Sequence, residues 1–442
     1  MLSQVAGRGI WVIVCCMLLY SCGGTRSVKN LFSKRTAYEK YEHRLREADL
    51  DKTALGKDWI QAGKAALEQS RQVELPYRES GYFGKDEARA ISLSFRGRRG
   101  EKFVIKLNSE TATAWQLFVD LFELREGKEP KHVAAPDSTE TEFTYEVKHD
   151  AWHVLRIQPE LLRSGRYTVS VTTAPTLAFP VKGKDSRNIA SFWGDPRDGG
   201  GRSHEGIDIF APRGTPAIAA TDGVIGSVRE NKLGGKVVFL TDMERRQSLY
   251  YAHLDSQLVS AGQRVKTGDT IGLIGNSGNA RYTNPHLHFG IYRFGEGATN
   301  PLPYVQRSPG EAPAVTANIN NLGQWVKVSS GKANIRSAPT TNSQVIATLP
   351  QNTVFRAQAG TENWYLVQLP DKQTGYISAS LVSPASATVT TTPASDEAIF
   401  ESITAKVVID SVNQATPLAV IGEFQEYQLV ELQNGRFGWR RK

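Results

Sequence analysis

The sequence predicts a mainly β, multidomain protein with an N-terminal helical segment. Three observations lead there. At 442 residues the chain exceeds what one hydrophobic core usually serves, so roughly two to four domains are expected. Its 39 Gly and 20 Pro provide turns for many short strands. Apolar residues recur with a period of two from about residue 76 onward, and at helical spacing in the stretch before it.

Residues 1–22 carry the marks of an export signal. Arg8 supplies a positive charge, and residues 10–20 form an apolar run too short for a bilayer, which takes ~20 residues. The run ends in Leu19-Tyr20-Ser21-Cys22, which resembles the lipobox of bacterial lipoproteins. That resemblance implies a lipid on Cys22 and a membrane anchor. Gly23 follows with no Asp, which resembles the outer-membrane sorting pattern of Gram-negative lipoproteins and implies a periplasm-facing location. The alternative is an ordinary signal peptide with an incidental cysteine. All three cysteines, Cys15, Cys16 and Cys22, fall in this stretch, so the rest of the chain has no disulfide framework and must rest on packed cores. The net charge of +8 suits a membrane surface or an anionic cell-wall polymer. No Lys/Arg run or recognition-helix pattern accompanies it, so nucleic acid is not expected as a partner.

Residues 23–75 are expected to be a helical spacer, with helix over 30–72. Tyr38, Tyr41 and Leu45 recur at i, i+3 and i+7, and Leu55, Trp59 and Ala62 continue the pattern. Residues 76–180 change period. Ile91, Leu93 and Phe95 alternate with polar residues, as do Phe103, Ile105 and Leu107, then Phe143, Tyr145 and Val147, then Tyr167, Val169 and Val171. Gly-rich turns lie between these runs, so a β-sandwich is predicted. It looks like the accessory sandwiches attached to secreted bacterial peptidases. His149 and His153 are four apart here without a third ligand, and read as surface or core residues.

Residues 186–305 hold the chemistry. Phe192-Trp193-Gly194-Asp195-Pro196 opens the domain, and four of the eight histidines lie between His204 and His288. Gly206 and the run Ile207-Asp208-Ile209-Phe210 argue for a loop entering a strand. His286 and His288 are two apart, on one face of a second strand. Two strands could therefore aim Asp208 and His288 at one point, with His204 arriving from the loop. Imidazole and carboxylate donors suit zinc. Glu205 adjoins a ligand, but on a strand it would face away, and it is not assigned a base role.

This ordered set resembles the lysostaphin/LytM-type zinc metallo-endopeptidases, which cleave peptide cross-links of bacterial peptidoglycan. The resemblance rests on His204-x-x-x-Asp208, His253 in Tyr251-Ala252-His253-Leu254, and His286-x-His288. It extends to Ala211–Pro216, to Asp222-Gly223, and to Val265–Asp269 before Ile271–Gly275. It implies an antiparallel β peptidase domain with a groove, with Zn2+ held by His204, Asp208 and His288. His253 and His286 would be catalytic, one taking a proton from the attacking water or steadying the oxyanion, with their roles left open. Relatives that lack ligands act as non-enzymatic activators of other wall hydrolases; here every ligand position is filled.

A Pro/Ala/Thr-containing linker over 308–318 leads to residues 319–383, which resemble a bacterial SH3-like domain at Asn334–Pro339, Trp364–Val367 and Gly375–Ile377. A second linker spans 384–393. Residues 394–442 then read as a shortened, divergent second SH3-like unit. Tyr427-x-Leu429-Val430 precedes Gly438-Trp439 just as Trp364-x-Leu366-Val367 precedes Gly375-Tyr376. Such units in wall enzymes commonly bind peptidoglycan; the alternative is that Trp364, Tyr376 and Trp439 are simply core. The expected function is an exported, lipid-anchored zinc endopeptidase of peptidoglycan. The alternative is a non-catalytic wall-binding regulator that activates another hydrolase, through a partner the sequence does not name.

Overall fold

The computed structural model of the chain describes residues 35–110, 115–136, 141–329, 331–387, 389–405 and 407–442. The expected export signal and Cys22 lie outside the described residues. Among the described residues, no helix is long and apolar enough to cross a membrane.

The N-terminal helices are α1 (Ala37–Glu47) and α2 (Ala54–Glu68). Thr36 caps α1 in a reciprocal box with Glu39, and Thr53 caps α2 through the Gly56 N–H. Expected as a spacer, this pair instead lies on the sandwich. Its apolar face carries Tyr38, Leu45 and Trp59, which bury together with Phe118. The Trp59 indole N–H donates to the Pro159 carbonyl at 2.8 Å, and the Gln158 amide donates to the Trp59 carbonyl at 2.8 Å. The Arg156 guanidinium covers the Tyr38 ring at 3.5 Å. The aromatic spacing that reads as an amphipathic hairpin is the docking stripe.

The sandwich is built from β1 (Tyr77–Phe83), β2 (Ile91–Gly97), β3 (Glu101–Glu110), β4 (Leu117–Arg125), β5 (Lys128–Ala134), β6 (Glu142–Glu146), β7 (Ala151–Pro159) and β8 (Gly165–Pro175). One sheet orders the strands β2-β7-β4-β5, with the short strand Arg71–Gln72 beside β2. The other orders them β1-β8-β3-β6. Phe95, Leu93, Phe103, Ile105, Val169 and Val171 fill the space between the sheets, as their alternation predicts.

The central domain forms an antiparallel sheet around β9 (Ile207–Phe210), β10 (Gly223–Asn231), β11 (Gly235–Asp242), β12 (Gln247–Gln257) and β13 (His286–Arg293), in the order β9-β13-β12-β11-β10. Ile207, Ile209, Leu287, Phe289 and Ile291 bury one face of β9 and β13. The alternate residues of the same strands therefore point the other way, into a cleft.

The C-terminal region contains two sets of strands. The first has β14 (Trp325–Val328), β15 (Lys332–Arg336), β16 (Val345–Pro350), β17 (Val354–Thr361), β18 (Trp364–Gln368) and β19 (Thr374–Ser378). The second has β20 (Val389–Thr391), β21 (Glu397–Phe400), β22 (Val408–Val412), β23 (Leu418–Phe424), β24 (Tyr427–Glu431) and β25 (Phe437–Arg441). From β17 onward the second set repeats the first at an offset of 63 residues, as from Trp364 to Tyr427, and β21 follows β15 at 64, as from Arg336 to Phe400. The pairing repeats as well. Leu366 faces Tyr376 in one hairpin and Leu429 faces Trp439 in the other. The bulge at Ala357/Ala359 recurs at Val420/Gly422. Strand β20 lies inside the stretch that composition marks as linker, where it pairs with β23. Thr/Val alternation is too short there to stand out from a linker. The stretch over 308–318 is likewise fastened down: the Thr316 and Ala317 N–H groups both donate to the Glu362 carbonyl at 2.9 Å.

Candidate metal centre

Strands β9 and β13 pair so that Asp208 lies directly opposite His288, and Phe210 opposite His286. The period of two then sends Asp208, His286 and His288 to the cleft side while Ile207, Ile209, Leu287 and Phe289 go to the core. His204 enters from the loop before β9. The donor atoms of His204, Asp208 and His288 all lie within 4.8 Å of one another. His204 Nε2 is 3.1 Å from Asp208 Oδ1 and 3.0 Å from His288 Nδ1, and His288 Nδ1 is 3.0 Å from Asp208 Oδ1.

The loop reaches this position through a clamp. The Asp195 carboxylate accepts from the Phe192 N–H at 2.7 Å and from the Ser191 hydroxyl at 2.8 Å. The Gly194 N–H donates to the His204 carbonyl and the His204 N–H to the Asp195 carbonyl, each at 2.9 Å. His204 Nδ1–H donates to the Phe192 carbonyl at 2.8 Å. That bond fixes the tautomer and leaves the Nε2 lone pair facing inward. Gly206 permits the approach of β13: a Cβ there would lie 2.6 Å from His288 Cε1 and 2.7 Å from the Phe289 carbonyl oxygen. An alanine at 206 would push the ligand strand away.

Burial alone would raise the Asp208 carboxyl, but its contacts with His204 and His288 hold it far below the usual carboxylate range. Burial lowers the His288 imidazole despite the adjacent Asp208. Two ring nitrogens and a carboxylate oxygen thus converge on one point. This is the chemistry of a three-ligand zinc site, and the residues fit one. Arg197 completes the carboxylate. Its Nη2–H donates to Asp208 Oδ2 at 2.6 Å and to the Ser191 hydroxyl at 2.7 Å, leaving Oδ1 toward the histidines. Sequence reading missed Arg197. Its only signal is a position just past the Trp193-Gly194 turn.

His253 and His286 stand beside the cluster, their rings 5.0 Å apart and the His253 ring 5.9 Å from that of His288. His253 Nδ1–H donates to the Ser277 carbonyl at 2.9 Å, and His286 Nδ1–H to the Asn284 carbonyl at 2.8 Å. Each therefore keeps an Nε2 lone pair. His253 has φ of 61°, a left-handed backbone that the N–H bond to the Gly234 carbonyl (2.7 Å) and the carbonyl bond from Gly275 N–H (3.1 Å) hold in place. Burial, with His286 and His288 close by, pushes the His253 imidazole down to about 4. It is neutral at pH 7 and free to accept a proton.

These groups floor a cleft of about 930 Å³ whose lining residues all fall between Ala190 and Tyr292. Among the described residues, neither the sandwich nor the C-terminal units contribute to its wall. Phe239, Tyr250 and Tyr292 form an aromatic side, with Tyr250 edge-on to His288 at 5.7 Å. Glu205 sits in the loop and reaches Tyr292 at 3.5 Å, away from the ligand cluster. His149 and His153 play no part here. His149 pairs with Glu123 at 3.1 Å, and the buried His153 packs between Phe103 and Tyr145.

Residues 202–301 match the family model for Peptidase family M23, and residues 331–383 that for a bacterial SH3 domain. The chain is similar to the peptidoglycan DD-endopeptidase ShyC of Vibrio cholerae, 35% identical over 34% of this chain and 35% of that protein. It is similar to the L-Ala--D-Glu endopeptidase of Bacillus subtilis, 35% identical over 29% of this chain and 43% of that protein. It is also similar to the glycyl-glycine endopeptidase ALE-1 of Staphylococcus capitis, 32% identical over 35% of this chain and 46% of that protein. The matched segments thus span less than half the length of each of these relatives. The central domain of this chain is a peptidase family M23 domain, and a bacterial SH3 domain follows it.

Proposed function

We propose that this protein is a zinc-dependent endopeptidase that hydrolyses peptide cross-links of bacterial peptidoglycan. The observation that carries this reading is the convergence of His204, Asp208 and His288 on one point beside His253 and His286. His204 Nε2, His288 Nδ1 and Asp208 Oδ1 would hold the ion. Bound zinc supplies a Lewis acid that polarises a carbonyl and acidifies water. The chain's own groups do the rest. Arg197 holds Asp208 in its one-oxygen pose, and the Phe192 carbonyl holds His204 in its tautomer. One of His253 and His286 takes the proton of the attacking water at Nε2. The other faces the oxyanion that develops on the scissile carbonyl. Phe239, Tyr250 and Tyr292 line the path of the substrate backbone.

The peptidoglycan substrate is supported by the names of the relatives and by the net charge of +8, which suits an anionic polymer. Export to the cell envelope follows from that substrate. Anchoring at Cys22, in the outer membrane of a Gram-negative cell and facing the periplasm, rests on the lipobox-like stretch alone. The bacterial SH3 domain supports residence at the wall.

The test is a digest of purified peptidoglycan by the zinc-loaded chain, with fragments read by mass spectrometry. Conversion of cross-linked dimers to monomers is the expected result and identifies the bond cut. A folded, zinc-loaded protein that converts nothing would turn the reading to a wall-bound regulator of another hydrolase.

A further inference from the structure

The two C-terminal units are held to the bodies before them by the same two positions. In the first unit, β17 joins β1 of the sandwich, with Ser80 opposite Gly360 and Gly81 opposite Ala359. The sandwich and the unit thereby share one eleven-stranded sheet among the described residues. Nearby, Arg71 donates to the Tyr376 hydroxyl and to the Tyr77 hydroxyl, each at 2.9 Å, and pairs with Glu79 at 2.5 Å. The Tyr77 and Tyr167 hydroxyls also donate to Glu79, at 2.8 and 2.9 Å. The Thr361 hydroxyl adds a bond to the Arg78 carbonyl at 2.8 Å.

In the second unit, the offset of 63 carries Gly360 to Glu423 and Tyr376 to Trp439. Glu423 bridges to Thr353 of the first unit, and its N–H donates to the Asn352 carbonyl at 3.0 Å. Gly422, the counterpart of Ala359, lies so close that a Cβ would be 2.3 Å from Val354 Cγ1. Trp439 packs edge-on against Trp325 of the first unit, ring centroids 5.7 Å apart. One face, used twice, meets a sandwich in one case and another unit in the other.

We propose that this face, carried by Gly360 and Tyr376 and repeated at Glu423 and Trp439, is an internal docking face that takes no part in gripping the cell wall. It makes the sandwich and both units one rigid body, and any wall contact by these units uses their other surfaces. The inference refines the wall-residence part of the reading above and is independent of the peptidase chemistry. Tyr376 is 5% exposed and Trp439 3% exposed, so a polymer cannot reach either without undocking the unit. The hydroxyl of Tyr376 is already held by Arg71. The linker is fastened on both sides, through the Ser308 hydroxyl to the Thr173 carbonyl at 2.5 Å and through Thr316 and Ala317 to Glu362.

The experiment places spin labels on the full chain at two exposed positions, Lys131→Cys in the sandwich and Val345→Cys in the first unit, with the native cysteines replaced. Pulsed electron–electron resonance reads their separation, and co-sedimentation with purified sacculi reads wall binding. The expected result is a single narrow distance, broadened by Arg71→Met. Tyr376→Phe, which removes one hydroxyl and keeps the ring, is expected to leave sacculus retention within about twofold of the parent. A broad distance distribution in the parent protein would overturn the proposal. So would a Tyr376→Phe variant that keeps the narrow distance but loses tenfold or more of its sacculus binding.

Discussion

The cluster around Glu79 and the cluster around Asp208 are both buried, polar and centred on a carboxylate, yet they are built on opposite logic. Around Glu79 every close contact joins a donor to an acceptor. Arg71, Tyr77 and Tyr167 all donate to it, and Arg71 Nη1 also donates to Tyr77 and Tyr376. Burial raises the Tyr77, Tyr167 and Tyr376 hydroxyls above their ordinary range, so all three stay neutral, Tyr77 and Tyr167 donating to Glu79 and Tyr376 accepting from Arg71. Such a cluster is complete and has nothing left to bind. Around Asp208 one carboxylate oxygen and two ring nitrogens crowd together at 3.0–3.1 Å, and the Nδ1–H of His204 is turned outward to the Phe192 carbonyl. That cluster brings three metal-ligating atoms within 4.8 Å of one another. The balance of donors to acceptors, more than burial or charge, separates a joint from a reactive site.

The difference can be broken from either side. The largest expected effect is on turnover. His253→Ala and His286→Ala should each lower kcat by roughly 10²–10⁴-fold, the usual worth of a positioned acid or base. Zinc content by metal analysis should stay at the parent level, since neither residue belongs to the ligand cluster. Next comes Arg71→Met. It strips the cation from a Glu79 that is 1% exposed and should cost about 3–5 kcal/mol of stability by denaturant unfolding. Zinc affinity should not change, because the two clusters share no residue. The smallest effect is at Arg197, which meets Asp208 at its outer oxygen and also holds the Ser191 hydroxyl. Arg197→Ala should weaken zinc by about 10–100-fold in a chelator competition, with kcat of the fully loaded protein falling less than in the histidine variants.

Much of this was legible in the sequence, and for physical reasons. A period of two puts Asp208, His286 and His288 on one side of their strands wherever those strands lie, the loop before Ile207 brings in His204, and the resemblance to the peptidase family supplied His253. The sandwich strands are visible because Phe103, Ile105, Val169 and Val171 alternate with polar residues. Arg197 was not legible, since its role depends on where a loop folds back and no periodicity marks it. The contact between Ser80 and Gly360 was also out of reach. It joins residues far apart in the chain through backbone groups that carry no side-chain signature. The helices were legible as helices but not as part of the sandwich, because an amphipathic stripe shows that a face is buried without showing what buries it.

The most direct test of the central claim compares the parent chain with His288→Ala in two readings, zinc bound per chain and cross-linked peptidoglycan dimers cleaved. The account predicts one zinc and cleavage for the parent. For the variant it predicts at least tenfold weaker zinc binding and no cleavage above the protein-free control, with unfolding by denaturant still cooperative. A folded His288→Ala protein that binds zinc as tightly as the parent, or cleaves at the parent's rate, would contradict it.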